Sequence, residues 1–128
     1  MSFTAIILAA GKGTRMNSAL PKPLHRVGGH AMLAWSMDAA RLAGAERIVT
    51  VLAPGSEDIQ DWLDGAPFAI QEDQLGTGNA VASAREAVGH EDGVAIVMFA
   101  DTPLVSAASL KQLADGVEAG AGIVIAGF

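Results

Sequence analysis

The 128-residue sequence has no cysteine, which excludes disulfides, zinc–thiolate centres and thiol nucleophiles. Any metal must therefore sit on oxygen or imidazole. No apolar stretch approaches the roughly 18 residues a membrane helix needs, and no basic-then-apolar leader opens the chain. The expectation is a soluble, cytoplasmic protein with no membrane partner. Internal repeats, low-complexity tracts and linkers are also missing, and the length suits one domain with a real core rather than two. Acidic residues are missing before Asp38, whereas Lys12, Arg15, Lys22 and Arg26 all fall there. The formal net charge is nevertheless −6, which argues against a nucleic-acid partner because such domains carry a basic footprint. A small cationic locus on an acidic body points to a pocket for a polyanionic small molecule; the plain alternative is a set of solvated side chains.

What is present are short apolar runs rich in β-branched residues: "FTAIILA" from Phe3, "RIVTVL" from Arg47, "VAIVMF" from Val94 and the terminal "GIVIAGF". Continuous rather than alternating runs suit strands covered on both faces, as in parallel sheets. Helical spacing joins them. Met32, Trp35, Ala39 and Leu42 mark a first helix ending near Gly44, and Ser56 caps a second through Ile59, Trp62 and Leu63. Val81, Ala84 and Val88 mark a third; Leu110, Leu113 and Val117, with Ser106 as cap, mark a fourth. A short strand ending near Ile70 completes the alternation. The fold class expected is α/β: a Rossmann-like, doubly wound, mostly parallel sheet flanked by helices. Ligands bind such sheets at the carboxyl ends of the strands, so the loops after Ala9, Leu52, Ile70 and Phe99 are the ones to watch.

Four segments sit on those loops or beside them. In "LAAGKGTRM", Gly11 and Gly13 allow backbone N–H groups close to a phosphate, while Lys12 and Arg15 add charge; a structural turn is the alternative. The spacing matches neither the Walker loop nor the dinucleotide fingerprint. In "LPKPLH", two prolines hold Lys22 on a stiff loop, suited to a phosphate. His25 and His30 read as hydrogen-bonding loop residues, since no carboxylate stands near them at ligand spacing. In "QEDQLGTGNAV", Gly76 and Gly78 precede a helix, and Gln71 offers an amide able to read a base. In "VAIVMFADTPL", Asp101 follows a buried strand, a typical place to hold Mg²⁺ against phosphates, or simply the start of a turn.

Taken together, "LAAGKGTRM", "LPKPLH", "QLGTG" and "ADTPL" resemble the sugar-nucleotidyltransferase family, in its order and spacing, and within it the bacterial N-acetylglucosamine-1-phosphate uridylyltransferases. The resemblance implies that Leu8, Ala9, Ala10, Gly11 and Gly13 meet the nucleotide and that Arg15 and Lys22 act on its phosphates as the catalytic pair. It further implies that Gln71, Gly76 and Thr77 contact uracil, and that Phe99 and Ala100 line the site beside Asp101, the Mg²⁺ ligand. Where the family has Tyr-Gly-Asp, this sequence has Phe-Ala-Asp, which keeps the carboxylate. The implied reaction joins UTP and N-acetylglucosamine-1-phosphate to UDP-N-acetylglucosamine and pyrophosphate, for cell-envelope precursors.

The resemblance also implies that residues 1–128 are the N-terminal part of a nucleotidyltransferase domain. The sugar-holding segments and the trimerising β-helix acetyltransferase domain of full-length members would lie beyond it. Two other readings stay open: a transferase using another NTP or another sugar or alcohol phosphate, and a nucleotide-binding module that is catalytically incomplete.

Overall fold

A computed structural model describes residues 3–11, 20–89 and 93–126. Four of its strands were expected: β1 (Phe3–Ala9), β4 (Ala45–Leu52) and β6 (Val94–Phe99) from the apolar runs, and β5 (Phe68–Ile70) as the short strand ending at Ile70. They form one parallel sheet in the order β5-β4-β1-β6. Two further strands, β2 (Arg26–Val27) and β3 (His30–Ala31), make a separate antiparallel hairpin that the sequence reading did not anticipate. Gly28 and Gly29 turn it at φ 59° and 84°, a left-handed pair that glycine adopts most readily.

The helices are α1 (Met32–Leu42), α2 (Glu57–Leu63), α3 (Thr77–Ser83), α4 (Arg85–Val88) and α5 (Ala107–Glu118). One face of the sheet packs Phe3, Ala5, Ile7, Leu52, Ile96 and Met98 against Leu33 and Met37 of α1, Ile59 and Leu63 of α2, and Leu110 and Ala114 of α5. The other packs Ile6, Val49 and Val51 against Ala80 and Ala84 at α3–α4. Helices thus flank both faces of a parallel sheet, the doubly wound arrangement expected. Winding runs from β1 outward to β4 and β5, then returns across the sheet to β6. Strand order therefore reverses at β1, and the crevice beyond β1 and β6 is where such folds take ligands. None of the described helices is long and apolar enough to cross a membrane.

Several expectations need correction. Residues 122–126 of the terminal apolar run form no strand: no ladder pairs them, Ile123 and Ile125 are exposed, and Val124 packs back onto Gly116 of α5. A strand exists only where a neighbouring edge takes its hydrogen bonds, so apolar sequence alone does not make one. The third helix is two short ones, broken at Ala84. Helix α1 turns Met32, Leu33, Ser36, Met37 and Ala40 inward instead of Trp35 and Leu42, which are exposed. Trp35 instead donates its Nε1–H to the Val27 carbonyl of the hairpin at 2.6 Å and meets His30 edge-on, with ring centroids 5.4 Å apart. Ser56 precedes α2 but makes no cap bond, its hydroxyl donating to the Ala53 carbonyl, whereas Ser106 does accept from the Ser109 N–H at 3.1 Å. Finally, β6 is not covered on both faces: Ala95, Val97 and Phe99 are exposed, because α3 and α4 lie over β1 and β4.

Candidate functional site

The register sets the site. Leu8 pairs with Phe99, Ala9 with Leu52, and Leu52 with Ile70, so all four parallel strands end at one level. The ladders then run one residue further: the Ala100 N–H donates to the Leu8 carbonyl at 3.1 Å and the Gln71 N–H to the Leu52 carbonyl at 2.8 Å. Gln71, Ala10 and Ala100 thus leave the sheet at one level, from the ends of β5, β1 and β6, all buried.

Above this lip lies a cavity of about 380 Å³, within the range of small-molecule sites. Its lining includes Leu8, Ala9, Ala10 and Gly11 from the end of β1, and Lys22. Gln71, Gly76 and Thr77 line it from the segment after β5, and Phe99, Ala100 and Asp101 from the end of β6. The structure therefore brings together site residues drawn from four separate stretches of sequence. Gly13 and Arg15 lie outside the described residues. Pro23, Met32, Gln74 and Ala80 also line the cavity and were not singled out. Gln74 and Ala80 belong to the "QEDQLGTGNAV" segment already noted, whereas Met32 and Pro23 read in sequence only as core and turn.

Lys22 opens a single 3-10 turn (Lys22–Leu24). The turn is closed by the His25 N–H on the Lys22 carbonyl at 3.0 Å and anchored by buried Pro23 and Leu24. The His25 ring bonds the Leu20 carbonyl at 2.8 Å. The base of the Lys22 side chain is therefore fixed while its tip is half exposed, and its Nζ donates to Asp101 Oδ2 at 3.2 Å. Asp101 stands in a turn in which both the N–H and the hydroxyl of Thr102 donate to the Phe99 carbonyl. An ion pair this exposed is worth about 1 kcal/mol at most, so either partner can be drawn away by a stronger charge at little cost.

On the opposite side, Gln71 is 4% exposed and its Nε2 donates to the Gly76 carbonyl at 3.1 Å and to Asn79 Oδ1 at 2.8 Å. Gly76 has φ 104° and ψ −176°, a region essentially restricted to glycine, and this sets the direction of its carbonyl as α3 begins.

Among the described residues no three His, Cys, Asp or Glu side chains cluster as a metal cage. A single carboxylate at the edge of the cavity, Asp101, is still a fitting donor for a hard cation that arrives with a nucleotide. Mg²⁺ is commonly held by one or two carboxylates plus phosphate oxygens, keeping several waters.

Residues 5–128 match the MobA-like NTP transferase domain. The chain belongs to that family. A curated relative, the bifunctional protein GlmU of Parvibaculum lavamentivorans, is 44% identical over 128 residues, covering 97% of this chain and 28% of that protein. The chain thus spans just over a quarter of the length of that relative. Among solved structures, Rv0371c from Mycobacterium tuberculosis superposes with a TM-score of 0.77 at 26% identity, over 93% of this chain and 62% of that one. A manganese complex of the same mycobacterial protein matches at 0.69 and 26% identity, over 91% and 60% of the two chains. Apo UDP-glucose pyrophosphorylase shares the fold, with a TM-score of 0.76 at 18% identity over 93% and 55%. The fold is that of the nucleotide-diphospho-sugar transferases.

Proposed function

We propose that this chain is the nucleotide-binding, N-terminal part of a sugar-1-phosphate uridylyltransferase domain that joins UTP and N-acetylglucosamine-1-phosphate. The observation that carries the reading is the convergence of four unlike elements on one cavity. These are the Leu8–Gly11 backbone, Lys22, the Gln71 amide and the Asp101 carboxylate. Backbone at the end of a parallel strand and a glycine-led helix entry suit a nucleotide. Likeness to the GlmU protein and membership of the NTP transferase family support a nucleotidyltransferase, and the manganese complex of Rv0371c supports a divalent cation. The choice of UTP rests on the resemblance carried by "QLGTG".

In the reaction, a phosphate oxygen of the sugar phosphate attacks the α-phosphorus of UTP in line. The new P–O bond forms as the bond to the β-phosphate oxygen breaks, and pyrophosphate leaves with that electron pair. The attacking phosphate is already an anion near neutral pH, so no general base is required. Lys22 holds the triphosphate and offsets charge developing on it, with Arg15 sharing that task. Asp101 would hold Mg²⁺, which when bound supplies charge neutralisation to the phosphates. Releasing Asp101 from Lys22 frees both groups at once, the carboxylate for the cation and the ammonium for phosphate oxygens.

Thermal stability measured with each of the four NTPs plus Mg²⁺ tests the reading. UTP at a hundred times its Kd should raise stability by about 2.7 kcal/mol, a shift of several degrees in Tm. Pyrophosphate release on adding N-acetylglucosamine-1-phosphate, weak or missing in this chain and restored in a longer one carrying the sugar-holding segments, completes the test. A response to a different NTP would favour the related transferase. Binding of UTP without turnover in either chain would favour the binding module, and no response to any nucleotide would overturn the proposal.

A further inference from the structure

We infer that Asn79 is a positioning residue that fixes which group the Gln71 amide presents to the cavity, and thereby which base edge the site accepts. The inference rests on the nucleotide reading above and deepens it.

The sense of the Gln71 amide is decided by the Gly76 carbonyl. That oxygen can only accept, so the Gln71 atom facing it at 3.1 Å is the nitrogen. The Gly76 carbonyl also accepts the Ala80 N–H at 3.0 Å, so its two lone pairs are both engaged. The second N–H of Nε2 goes to Asn79 Oδ1 at 2.8 Å. Asn79 is itself held in the first turns of α3, where its carbonyl accepts the Ser83 hydroxyl at 2.9 Å. With both donors taken, Gln71 has one group left for a ligand, Oε1. That oxygen has no partner among the described residues, and it is not among the sealed, unpaired oxygens, which are Ser36 Oγ and Thr50 Oγ1.

A buried acceptor in a fixed place selects a base edge carrying a ring N–H, as uracil does at N3. In the same pose it disfavours cytosine, whose N3 would set a lone pair against that oxygen, so that cytosine must shift to bring its N4 amino group there instead. Asn79 matters because it occupies the second N–H. Remove its oxygen, and one donor beside the cavity has no partner while a single bond holds the amide. The side chain can then turn or shift to offer N–H as well as oxygen, and discrimination falls.

The test compares affinities for UTP, CTP and N3-methyl-UTP, each with Mg²⁺, in the full chain by calorimetry. The wild type should prefer UTP over CTP by at least about tenfold and bind N3-methyl-UTP no better than CTP. In Asn79→Ala the UTP to CTP ratio should fall about five- to tenfold, with Tm close to wild type. Asn79→Asp keeps an acceptor for Nε2, so both nucleotides should bind more weakly beside the new charge while the ratio holds. An unchanged ratio in Asn79→Ala, or a lost ratio in Asn79→Asp, would overturn the positioning role while leaving the nucleotide site standing. A wild type that binds no nucleotide would bring down the nucleotide reading and this inference with it, whereas one that binds all of them alike would overturn the inference and the preference for UTP while leaving a nucleotide site standing.

Discussion

The two walls of the cavity are built from opposite kinds of interaction. On one, Lys22 and Asp101 meet 3.2 Å apart, with side chains 40% and 49% exposed, and each is the other's only side-chain partner among the described residues. On the other, Gln71 is buried and both of its N–H groups are committed. The charged wall is held weakly and can exchange one ionic partner for another as a ligand enters. The amide wall is set before anything binds. On the proposed function, a site that tolerates a changing phosphate charge and still reads one base would use both, and the two walls stand at opposite edges of the same lip, the ends of β6 and β5.

Three measurements would break or sharpen this contrast. The largest effect is expected from Lys22→Ala, which removes the cation without touching the core. Turnover in a chain that carries the whole transferase domain should fall by about a hundredfold or more, with Tm nearly unchanged. A near-normal rate would remove Lys22 from the mechanism. A smaller effect is expected from Gly76→Ala. A Cβ there meets open space, but φ 104° is strained for any L side chain, so thermal or urea unfolding should show a loss of about 1–3 kcal/mol. The same change should shift the Gln71 amide and weaken UTP binding. The smallest belongs to the ion pair itself. A double-mutant cycle combining Lys22→Met and Asp101→Asn should give a coupling below about 1 kcal/mol in stability. A coupling of several kcal/mol would mean that the charged wall is as fixed as the amide one.

Three of the four sheet strands were legible because runs such as "VAIVMF" are apolar throughout, a pattern typical of parallel sheets. The glycine-led segments were legible for a similar reason, since Gly11 and Gly76 sit where the chain leaves a strand or enters a helix. Other features depend on neighbours that no local pattern records. The inward face of α1 was misread because Trp35 is strongly apolar, yet its indole N–H finds the hairpin carbonyl of Val27 while small Ser36 faces the core. The terminal run was misread because its composition suits a strand but residues 122–126 have no strand beside them. Asn79 passed unnoticed although it lies in a quoted segment, because its importance is a hydrogen bond to a residue eight positions earlier.

One consequence follows from the place of β1. Among the described residues it is the strand paired on both sides along most of its length, Phe3–Leu8 to β6 and Phe3–Ala9 to β4, and Ile7 and Ala5 within it are fully buried. Its amides should exchange with deuterium only when the whole domain opens, and be among the last to do so. Because the floor of the cavity is the end of that strand, ligand occupancy there would be recorded far from the pocket, as slowed exchange throughout the centre of the sheet.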